Sequence, residues 1–376
     1  MDIKIDDQFG AAGVAFDEFG PEKIVQIYDP TTGLNAVLVI DNVAAGPSIG
    51  GVRMAADADV VECARLARAM TLKNAMAGLA HGGGKSVIIA NAKLPLPQKQ
   101  RLVRSFAHAV GDLKDYIPGP DMGTNEASMA IVKDEIGRAV GLPREVGGIP
   151  LDEIGATGFG LAVALEVAEH YSDLALAGAR VAVQGFGSVG KHAALFLAAK
   201  GARLVAVSDS GGGRVCQDGF NLDALIASKE AGVSVADFDA GSAIAAEDLI
   251  GVDCDVWIPA ARPDAITADN VDRLQARVVA QGANIPATTE AEQTLAQRGV
   301  LVIPDFVANA GGVICAAVEY HQGSESQAFA SIEEKLRSNV TAVLRRATTS
   351  GETPRQAALA IAEERVRRAM KFRRTG

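Results

Sequence analysis

Residues 180–190 read Arg180-Val-Ala-Val-Gln-Gly185-Phe-Gly187-Ser-Val-Gly190, and they decide how the chain is expected to fold. The first five residues have the pattern of a buried strand, and a helical pattern follows Gly190. A second strand-like run begins at residue 202 and ends in Asp209, nineteen residues after Gly190. A strand, a glycine-rich turn, a helix, a second strand and a terminal acid, in this order, predict a dinucleotide-binding βαβ unit.

The glycines of this fingerprint have separate tasks. Gly185 allows the tight turn, Gly187 lets the backbone approach a pyrophosphate, and Gly190 allows the helix to pack closely on the strand. The N-terminus of the helix then faces the phosphate groups. The residues of the turn that are expected to contact the cofactor are Gly185, Phe186, Gly187, Ser188, Val189 and Gly190.

Asp209 bears on the choice of cofactor. At the end of the second strand, its carboxylate is expected to accept from the adenosine ribose hydroxyls and to repel a 2′-phosphate, which favours NAD. Ser210 and the three glycines after it could admit a phosphate, so NADP stays open. A glycine-rich turn that binds no ligand is the alternative for the whole set.

The alternation of strands and helices continues beyond Asp209 and predicts an α/β fold. Strand patterns follow at residues 254–259, 277–281 and 300–304, and two long helices separated by Gly351-Glu-Thr-Pro354 come last. At 376 residues the chain is long enough for two domains. We predict an N-terminal α/β substrate-binding and catalytic domain at 1–150 and a Rossmann-type, doubly wound dinucleotide-binding domain at 151–328. The C-terminal helices, 329–376, are expected to return to the first domain.

Two lysines, Lys73 and Lys85, flank a triple glycine in the N-terminal half. The stretch from Met70 to Ala90 predicts a helix to about residue 77, a break at Gly82-Gly-Gly84, and a strand from Ser86. This places Lys85 at the mouth of a strand, where a lysine can do chemistry. A phosphate-binding loop is excluded, because that motif needs a glycine at position 79, which is Leu79, and a strand leading in.

Three further polar residues lie on predicted loops. Asp121 follows the extended residues 116–120, and Asn284 and Asn309 follow strands, where ligands collect in open α/β sheets. Each of the three has an alternative as a turn residue or a helix cap. Residues 46–51, Gly-Pro-Ser-Ile-Gly-Gly, read as one more loop, of the kind that lines a pocket.

The bulk composition excludes several classes of protein. The chain is 48% hydrophobic and 22% charged, as ordinary globular proteins are, and its net charge of −10 gives no general attraction to nucleic acid or anionic membranes. Its four cysteines are isolated, so neither a disulfide framework nor a metal site is expected. Residues 1–7 lack the features of a signal peptide, and no apolar run approaches about 18 residues, so we predict a cytoplasmic location.

Six motifs, taken in order, resemble the glutamate/leucine/phenylalanine/valine dehydrogenase family. They are Gly50-Gly-Val-Arg-Met54, Met70-Thr-Leu-Lys-Asn74, Gly82-Gly-Gly-Lys85, Asp121-Met-Gly-Thr124, Gly185-Phe-Gly-Ser-Val-Gly190 and Asn309-Ala-Gly-Gly-Val313. The resemblance covers nearly the whole chain. It implies reversible oxidative deamination of an L-amino acid to a 2-oxo acid and ammonia with NAD or NADP, and assembly into a homo-oligomer.

The resemblance also implies roles for single residues. Lys85 is the catalytic lysine, Asp121 shuttles protons, and Lys73 holds the substrate α-carboxylate. The implied substrate-binding set is Lys73, Gly51, Met70, Asn309, Ile49 and Ala316. The implied cofactor-binding set adds Thr157, Asp209, Asn284 and Asn309 to the glycine-rich turn.

Two departures from the family's pattern bear on the substrate. The glutamate enzymes carry a lysine just before the Gly-Gly of the first motif and a serine seven residues after the asparagine of the last. This chain has Ile49 and Ala316 at those places. A side-chain carboxylate buried against them would lack a partner, at a cost of roughly several kcal/mol. We therefore predict an apolar amino acid of the leucine, valine or phenylalanine class, and a pocket closer to that branch.

Three rival interpretations stay open. A glutamate dehydrogenase would need another cation for the distal carboxylate, and Asp121-Met-Gly-Thr-Asn-Glu126 does look more like the glutamate enzymes. A non-catalytic sensor of nucleotide or amino acid is disfavoured by Lys73, Lys85 and Asp121. A 2-hydroxyacid dehydrogenase would be expected to use a histidine, for which His81 is the one candidate near the lysines.

Overall fold

The computed structural model describes residues 13–373. The chain divides into two compact units. Within the described residues, the first unit comprises 13–150, Val313–Ala328 and 359–373, and the second comprises Leu151–Gly312 and Phe329–Ala358. Residues 1–12 and 374–376, which include the N-terminal stretch used to predict the location in the cell, lie outside the described residues.

The first unit is built on a mixed sheet in the order β1-β2-β4-β3-β5. Its elements are β1 (Lys23–Asp29), β2 (Leu34–Asn42), β3 (Ser48–Met54), α1 (Val60–Met76), β4 (Gly82–Ile88), α2 (Leu96–Ala109), β5 (Tyr116–Pro120) and α3 (Glu126–Ile136). β1 and β2 form an antiparallel hairpin, β4 runs antiparallel to β2, and β3 runs parallel to both β4 and β5. β4, which carries Lys85, is therefore the central strand.

Both faces of this sheet are covered by helices. On β2, the side chains of Leu34, Ala36, Leu38 and Ile40 join a core that includes Phe106 of α2 and Met129 of α3. The alternate residues Val37 and Val39 join a second core that includes Cys63 and Ala67 of α1. A strand that is buried on both faces reads as a continuous apolar run, which is why the period-2 signal is weak in this segment.

The second unit is built on a sheet in the order β12-β11-β10-β6-β7-β8-β9. Its elements are α4 (Ala156–Ala168), β6 (Arg180–Gln184), α5 (Ser188–Ala198), β7 (Arg203–Asp209), β8 (Gly212–Val215), α6 (Leu222–Glu230), β9 (Ser242–Ile244), β10 (Val256–Pro259), β11 (Val278–Ala280), α7 (Thr289–Gln297), β12 (Leu301–Ile303) and α8 (Asp305–Ala308). β12, β11, β10, β6 and β7 are parallel, as predicted, whereas β8 and β9 add an antiparallel edge that the sequence did not signal.

The chain ends in three helices, α9 (Gly311–Tyr320), α10 (Glu325–Ser350) and α11 (Pro354–Met370). Their residues are shared between the units, which differs from the expectation that all of 329–376 returns to the first domain. Phe329 packs on Phe159 and Phe196, with ring centroids 5.0 and 6.2 Å apart, and so belongs with α4 and α5. Residues 313–328 belong instead to the first unit, where Glu319 accepts from the backbone N–H of Leu142 and Ile149 at 3.3 and 2.6 Å.

Two glycine segments that were expected to be loops are strands. Gly50 and Gly51 lie inside β3, and Gly82 to Gly84 lie inside β4. A Cβ atom on Gly50 would lie 1.7 Å from the carbonyl oxygen of Gly84, and one on Gly83 would lie 2.0 Å from the backbone nitrogen of Thr71 in α1. Glycine is disfavoured in strands, so the local signal predicts a loop, but here it allows strands and helix to approach closely.

Candidate active site

Lys85 lies within the central strand β4 and not at the mouth of a strand, because the strand begins three residues earlier, at Gly82. The residue is buried, with 4% of its surface exposed. Its ammonium group donates a hydrogen bond to Oδ2 of Asp121, which follows directly after β5. The structure thus brings together the two residues that were predicted to be catalytic, from positions 36 residues apart in the chain.

Gly51 is the reason that the lysine can reach the aspartate. β3 lies between β4 and β5 in the sheet, so the side chain of Lys85 has to pass over β3 to meet Asp121. A Cβ atom on Gly51 would lie 2.7 Å from Oδ2 of Asp121 and 2.8 Å from its Cβ. An L-side chain at this position would therefore displace the carboxylate from its contact with the lysine.

Arg53 is a member of this site that the sequence reasoning missed. It stands two residues after Gly51 on β3 and therefore points to the same face of the sheet. Its Nε donates to Oδ1 of Asp121 at 2.9 Å, and its Nη1 donates to Glu62 of α1. A charged residue inside the buried motif 50–54 was the available signal. The site holds two cations and two carboxylates, so its formal charge is zero.

The pKa of Asp121 lies below its ordinary value of 3.8. Burial raises the pKa of this carboxyl, but the ammonium of Lys85 and the guanidinium of Arg53 lower it by more. Asp121 is therefore an ionised acceptor at neutral pH. A carboxylate in direct contact with a lysine can exchange a proton with it, and this is the chemistry that the pair is able to do.

The other predicted substrate residues of the first unit lie on α1, β3 and α9. Met70 and Lys73 lie on α1, which packs on β4 where Thr71 meets Gly83, and Lys73 is in the last turn of that helix. Ile49 is buried in β3 and Ala316 is buried in α9.

The glycine-rich turn of the second unit, where the sequence predicts a pyrophosphate, requires glycine at two positions and is open at a third. Gly185 adopts a φ of +93°, and a Cβ atom on Gly190 would lie 2.1 Å from the carbonyl oxygen of Gly185. Both positions therefore require glycine for reasons internal to the protein. Gly187 is different, because a Cβ atom there would meet no described atom within 4 Å. It precedes the first turn of α5, whose N–H groups have no partner within the helix.

Asp209 lies at the end of β7 beside this turn, as predicted, since Ser208 O accepts from the N–H groups of Gly185 and Phe186 at 2.9 Å. Its four acceptor positions are already engaged. Oδ1 accepts from Gly211 N and Ser234 Oγ, each at 2.9 Å, and Oδ2 accepts from Val235 N at 2.8 Å and from the ammonium of Lys229. A carboxylate has about four lone-pair sites. To accept from a ribose hydroxyl, Asp209 has to give up one of these bonds.

Asn309 and Asn284 meet at the carboxyl ends of β11 and β12. The Nδ2 of Asn309 donates to Asn284 Oδ1 at 3.1 Å and to the carbonyl oxygens of Gly282 and Ala283 at 3.3 and 3.4 Å. The Oδ1 of Asn309 is buried and has no hydrogen-bond partner among the described residues. A buried acceptor without a donor costs about 1–3 kcal/mol, which points to a ligand donor at this atom.

Thr157 lies close to this segment. A Cβ atom on Gly312 would lie 3.0 Å from its Oγ1, and one on Gly311 would lie 2.1 Å from the carbonyl oxygen of Ala156. The two glycines after Asn309 thus let the start of α9 approach the start of α4. The second unit therefore brings Thr157 close to the segment that carries Asn309, as the cofactor assignment requires.

The helix-cap alternatives for the three loop residues are wrong. The N-cap of α3 is Asn125, whose side chain accepts from Ser128 N, and the N-cap of α7 is Thr288. The side chains of Asp121 and Asn284 are instead engaged by the contacts above. The unpartnered Oδ1 of Asn309 caps no helix.

His81 does not join the lysine and the aspartate. Its ring nitrogens contact Pro47 O at 3.0 Å and Nε2 of His321 at 3.1 Å. A small cavity of ≈ 120 Å³ beside it is lined by Thr71 and Arg365, and not by Lys85 or Asp121. Within residues 13–373, no three His, Cys, Asp or Glu side chains are grouped so that they could hold a metal ion.

No described helix has the length and apolar character that crossing a membrane requires.

Comparison with family models assigns both parts of the chain. Residues 21–138 match the model described as "Glu/Leu/Phe/Val dehydrogenase, dimerisation domain", and residues 147–374 match "Glutamate/Leucine/Phenylalanine/Valine dehydrogenase". Among curated relatives, the chain is 37% identical to a glutamate dehydrogenase of Aeropyrum pernix over 88% of this chain and 85% of that one. It is 33% identical to an NADP-specific glutamate dehydrogenase of Saccharolobus shibatae over 94% and 90%. It is 36% identical to a catabolic NAD-specific glutamate dehydrogenase of Bacillus subtilis over 79% and 73%.

Two solved structures have the same fold over nearly the whole chain. A hetero-hexameric glutamate dehydrogenase from Thermus thermophilus, in a leucine-bound form, aligns with a TM-score of 0.84 and 32% identity, over 95% of this chain and 91% of that one. An L-tryptophan dehydrogenase from Nostoc punctiforme aligns with a TM-score of 0.73 and 26% identity, over 94% and 97%.

These comparisons confirm the predicted two-domain α/β fold, the enzyme class and the use of NAD or NADP. They do not support the predicted closeness to the leucine, valine and phenylalanine branch, because the curated relatives above are named glutamate dehydrogenases.

Proposed function

Since the chain belongs to the glutamate/leucine/phenylalanine/valine dehydrogenase family, we propose that it catalyses the reversible oxidative deamination of L-glutamate to 2-oxoglutarate and ammonia. The observation that carries the chemistry is the buried contact between Lys85 and Asp121, which Arg53 supports from the same face of the sheet. The choice of glutamate as the substrate rests on the names of the curated relatives.

In this proposal the bound nicotinamide supplies the acceptor or donor of hydride. Oxidation of the amino acid leaves an iminium group, to which water adds before ammonia departs. Lys85 first passes a proton to Asp121, and the resulting neutral amine takes the proton of the attacking water, while Asp121 gives its proton to the departing amine nitrogen. Because the two side chains are in contact, the proton passes between them without an intervening group. Arg53 and Glu62 hold Asp121 in the orientation that this exchange needs.

The substrate is held by groups that need no proton transfer. We propose that the ammonium of Lys73 pairs with the α-carboxylate, with Gly51 and Met70 shaping the space beside it. Asn309 offers its buried, unpartnered Oδ1 to a donor on the substrate or the nicotinamide amide. Thr157 and Asn284 complete the polar groups around the nicotinamide.

The residues of the second unit fit a nicotinamide dinucleotide. The open space at Gly187 and the N-terminus of α5 suit the pyrophosphate, since no contact within the described protein requires a glycine at this position. Asp209 is assigned to the adenosine ribose. Because Lys229 and Ser234 share its carboxylate, its repulsion of a 2′-phosphate is partly offset, and we propose that both NADH and NADPH bind.

A second candidate substrate is an amino acid with an apolar side chain. It rests on Ile49 and Ala316, both of which are buried and apolar where the family's glutamate enzymes are expected to hold the distal carboxylate. If glutamate is the substrate, another cation has to pair with that carboxylate, because an unpaired buried charge costs roughly several kcal/mol.

The test is oxidation of NADH, and separately of NADPH, with ammonia and four 2-oxo acids: 2-oxoglutarate, 4-methyl-2-oxopentanoate, 3-methyl-2-oxobutanoate and phenylpyruvate. The highest kcat/KM is expected with 2-oxoglutarate. A preference for an apolar oxo acid would favour the second candidate, and the double substitution Ile49→Lys with Ala316→Ser is then expected to shift the preference towards 2-oxoglutarate. The absence of turnover with all four would contradict both.

Assembly into a homo-oligomer in the cytoplasm is part of the same proposal, and light scattering of the purified protein tests the assembly.

A further inference from the structure

Arg355 is partly buried in the second unit, among groups that lie far from it in the sequence. It stands in the first turn of α11, and 23% of its side chain is exposed. Its Nε donates to Glu292 Oε2 at 2.6 Å. Its Nη2 donates to Glu292 Oε1 at 2.8 Å, to Asp305 Oδ1 at 2.8 Å and to Gln281 Oε1 at 2.9 Å. One guanidinium thus joins α7, α8 and the end of β11.

The acceptors of Arg355 fix both ends of the loop at residues 281–285. Gln281 Oε1 also accepts from Asp305 N at 3.0 Å, which ties the end of β11 to the start of α8. While Oδ1 of Asp305 faces Arg355, its Oδ2 accepts from Ile285 N at 2.8 Å. Ile285 has a φ of +48°, a conformation that a β-branched residue adopts only when its surroundings enforce it.

This loop in turn decides which way the amide of Asn309 faces. The carbonyl oxygens of Gly282 and Ala283 and the Oδ1 of Asn284 are three acceptors, and all three face Nδ2. With its nitrogen held in this way, the amide presents Oδ1, the atom that has no described partner. A rotation of the amide by 180° would set an oxygen against three acceptors.

We propose that Arg355 is a positioning residue of the enzyme, which sets the orientation of Asn309 through Asp305, Gln281 and the loop at 281–285. It touches neither substrate nor cofactor. The inference rests on the proposed function in that the orientation of Asn309 matters only if this amide binds a donor of the substrate or the nicotinamide. The ammonium of a lysine carries the same charge, but it cannot span three acceptors as a planar guanidinium does.

The test uses Arg355→Lys in the full-length protein, combined with Asn309→Ala in a double-mutant cycle. Arg355→Lys is expected to lower kcat/KM about tenfold or more in the native background, since small misplacements of positioning groups cost up to about a hundredfold. In the Asn309→Ala background the same change is expected to cost less than about twofold, because the group that it positions is gone. If Arg355→Lys lowered kcat/KM by the same factor in both backgrounds, the proposal would be overturned.

Two further measurements separate positioning from general damage to the fold. The inhibition constant of AMP, which reports on the glycine-rich turn of the same unit, is expected to stay unchanged in Arg355→Lys. Hydrogen exchange of the peptide that spans 281–285 is expected to speed up, while that of β6 and β7 does not. Weaker binding of AMP, or unchanged exchange at 281–285, would contradict the proposed role.

Arg337→Lys is the matched control. Arg337 lies in the same unit and is paired with Glu166 and Glu333 at 2.6 and 2.9 Å, but it is half-exposed. The change is expected to leave kcat/KM and hydrogen exchange as they are. If the native protein turned over none of the oxo acids, the proposed function would fail, whereas the exchange measurement would still decide whether Arg355 holds the loop.

Discussion

Replacing Asp121 by asparagine tests the core of the proposed chemistry. The change keeps the shape of the side chain but removes its charge and its capacity to carry a proton. Its two oxygens accept from Lys85 and Arg53, and asparagine offers only one oxygen to these two donors. The variant is therefore expected to lose most of its activity and part of its stability, for two separate reasons.

The size of each effect follows from the structure. Removing one partner of a buried ion pair costs about 3–5 kcal/mol, because the other charge is left without compensation. Only 6% of the side chain of Lys85 is exposed, so this range applies to it, whereas Arg53 keeps Glu62. We expect a loss near the lower end, about 3 kcal/mol, since asparagine retains one acceptor. Loss of a general acid–base group lowers kcat by about 10² to 10⁴.

Urea unfolding measures the first quantity, and steady-state kinetics at saturating ammonia and oxo acid measures the second. Asp115→Asn is the control. Asp115 lies in the same unit and pairs with Lys23 at 2.5 Å, but both side chains are more than 40% exposed. Such a surface pair contributes about 0–1 kcal/mol. A folded Asp121→Asn variant that retained kcat within about threefold of the native protein would refute the role of Asp121 as the proton carrier.

Two further predictions concern the second unit. Gly187→Ala is expected to weaken NADH binding, measured by calorimetry, with little change in the thermal midpoint, because its Cβ meets no described protein atom. Gly190→Ala is expected to lower the thermal midpoint as well, because its Cβ would lie 2.1 Å from Gly185 O; equal losses of stability in the two variants would contradict the assignment. Burial raises the pKa of Asp209, but Lys229 and three further donors lower it to about 2. A carboxyl whose pKa falls from 3.8 to about 2 on folding contributes about 2 kcal/mol, fully present above about pH 4 and lost as the pH drops towards 2. The Asp209→Asn variant is expected not to lose this stability when urea unfolding is measured between pH 5 and 2.5. If the free energies of unfolding of the two proteins fell in parallel over this range, the contribution assigned to the Asp209 carboxylate would be contradicted.

Much of the fold could be predicted from the local sequence. The strands β6 and β7 and the end of helix α1 lie within a residue or two of their predicted bounds. These elements are indicated by periodicity, caps and turn residues, which are properties of neighbouring residues. The strands β3 and β4 are not indicated by the local pattern, because their glycines are required by close contacts with a neighbouring strand and with α1.

The candidate site shows the same division. Lys85 and Asp121 could be named in advance because the resemblance implies their roles. Arg53 also stands in one of the ordered motifs, but its contact with Asp121 appears only when β3 lies between β4 and β5. Asp209 stands where the fingerprint places it. That its carboxylate is shared by Lys229, Ser234 and Val235 follows from a fold that brings residues 20 to 26 positions away back to the strand end.

The sequence by itself determined the type of fold, the family and the candidate pair Lys85 and Asp121. Only the tertiary structure decided that Lys85, Asp121 and Arg53 meet, which way Asn309 faces, and that Arg355 donates to Gln281 and Asp305. The physical reason is that spacing along the chain records local conformation, whereas hydrogen bonds and burial depend on contacts between distant segments. A carboxylate or a guanidinium acquires its role from the groups that surround it in space.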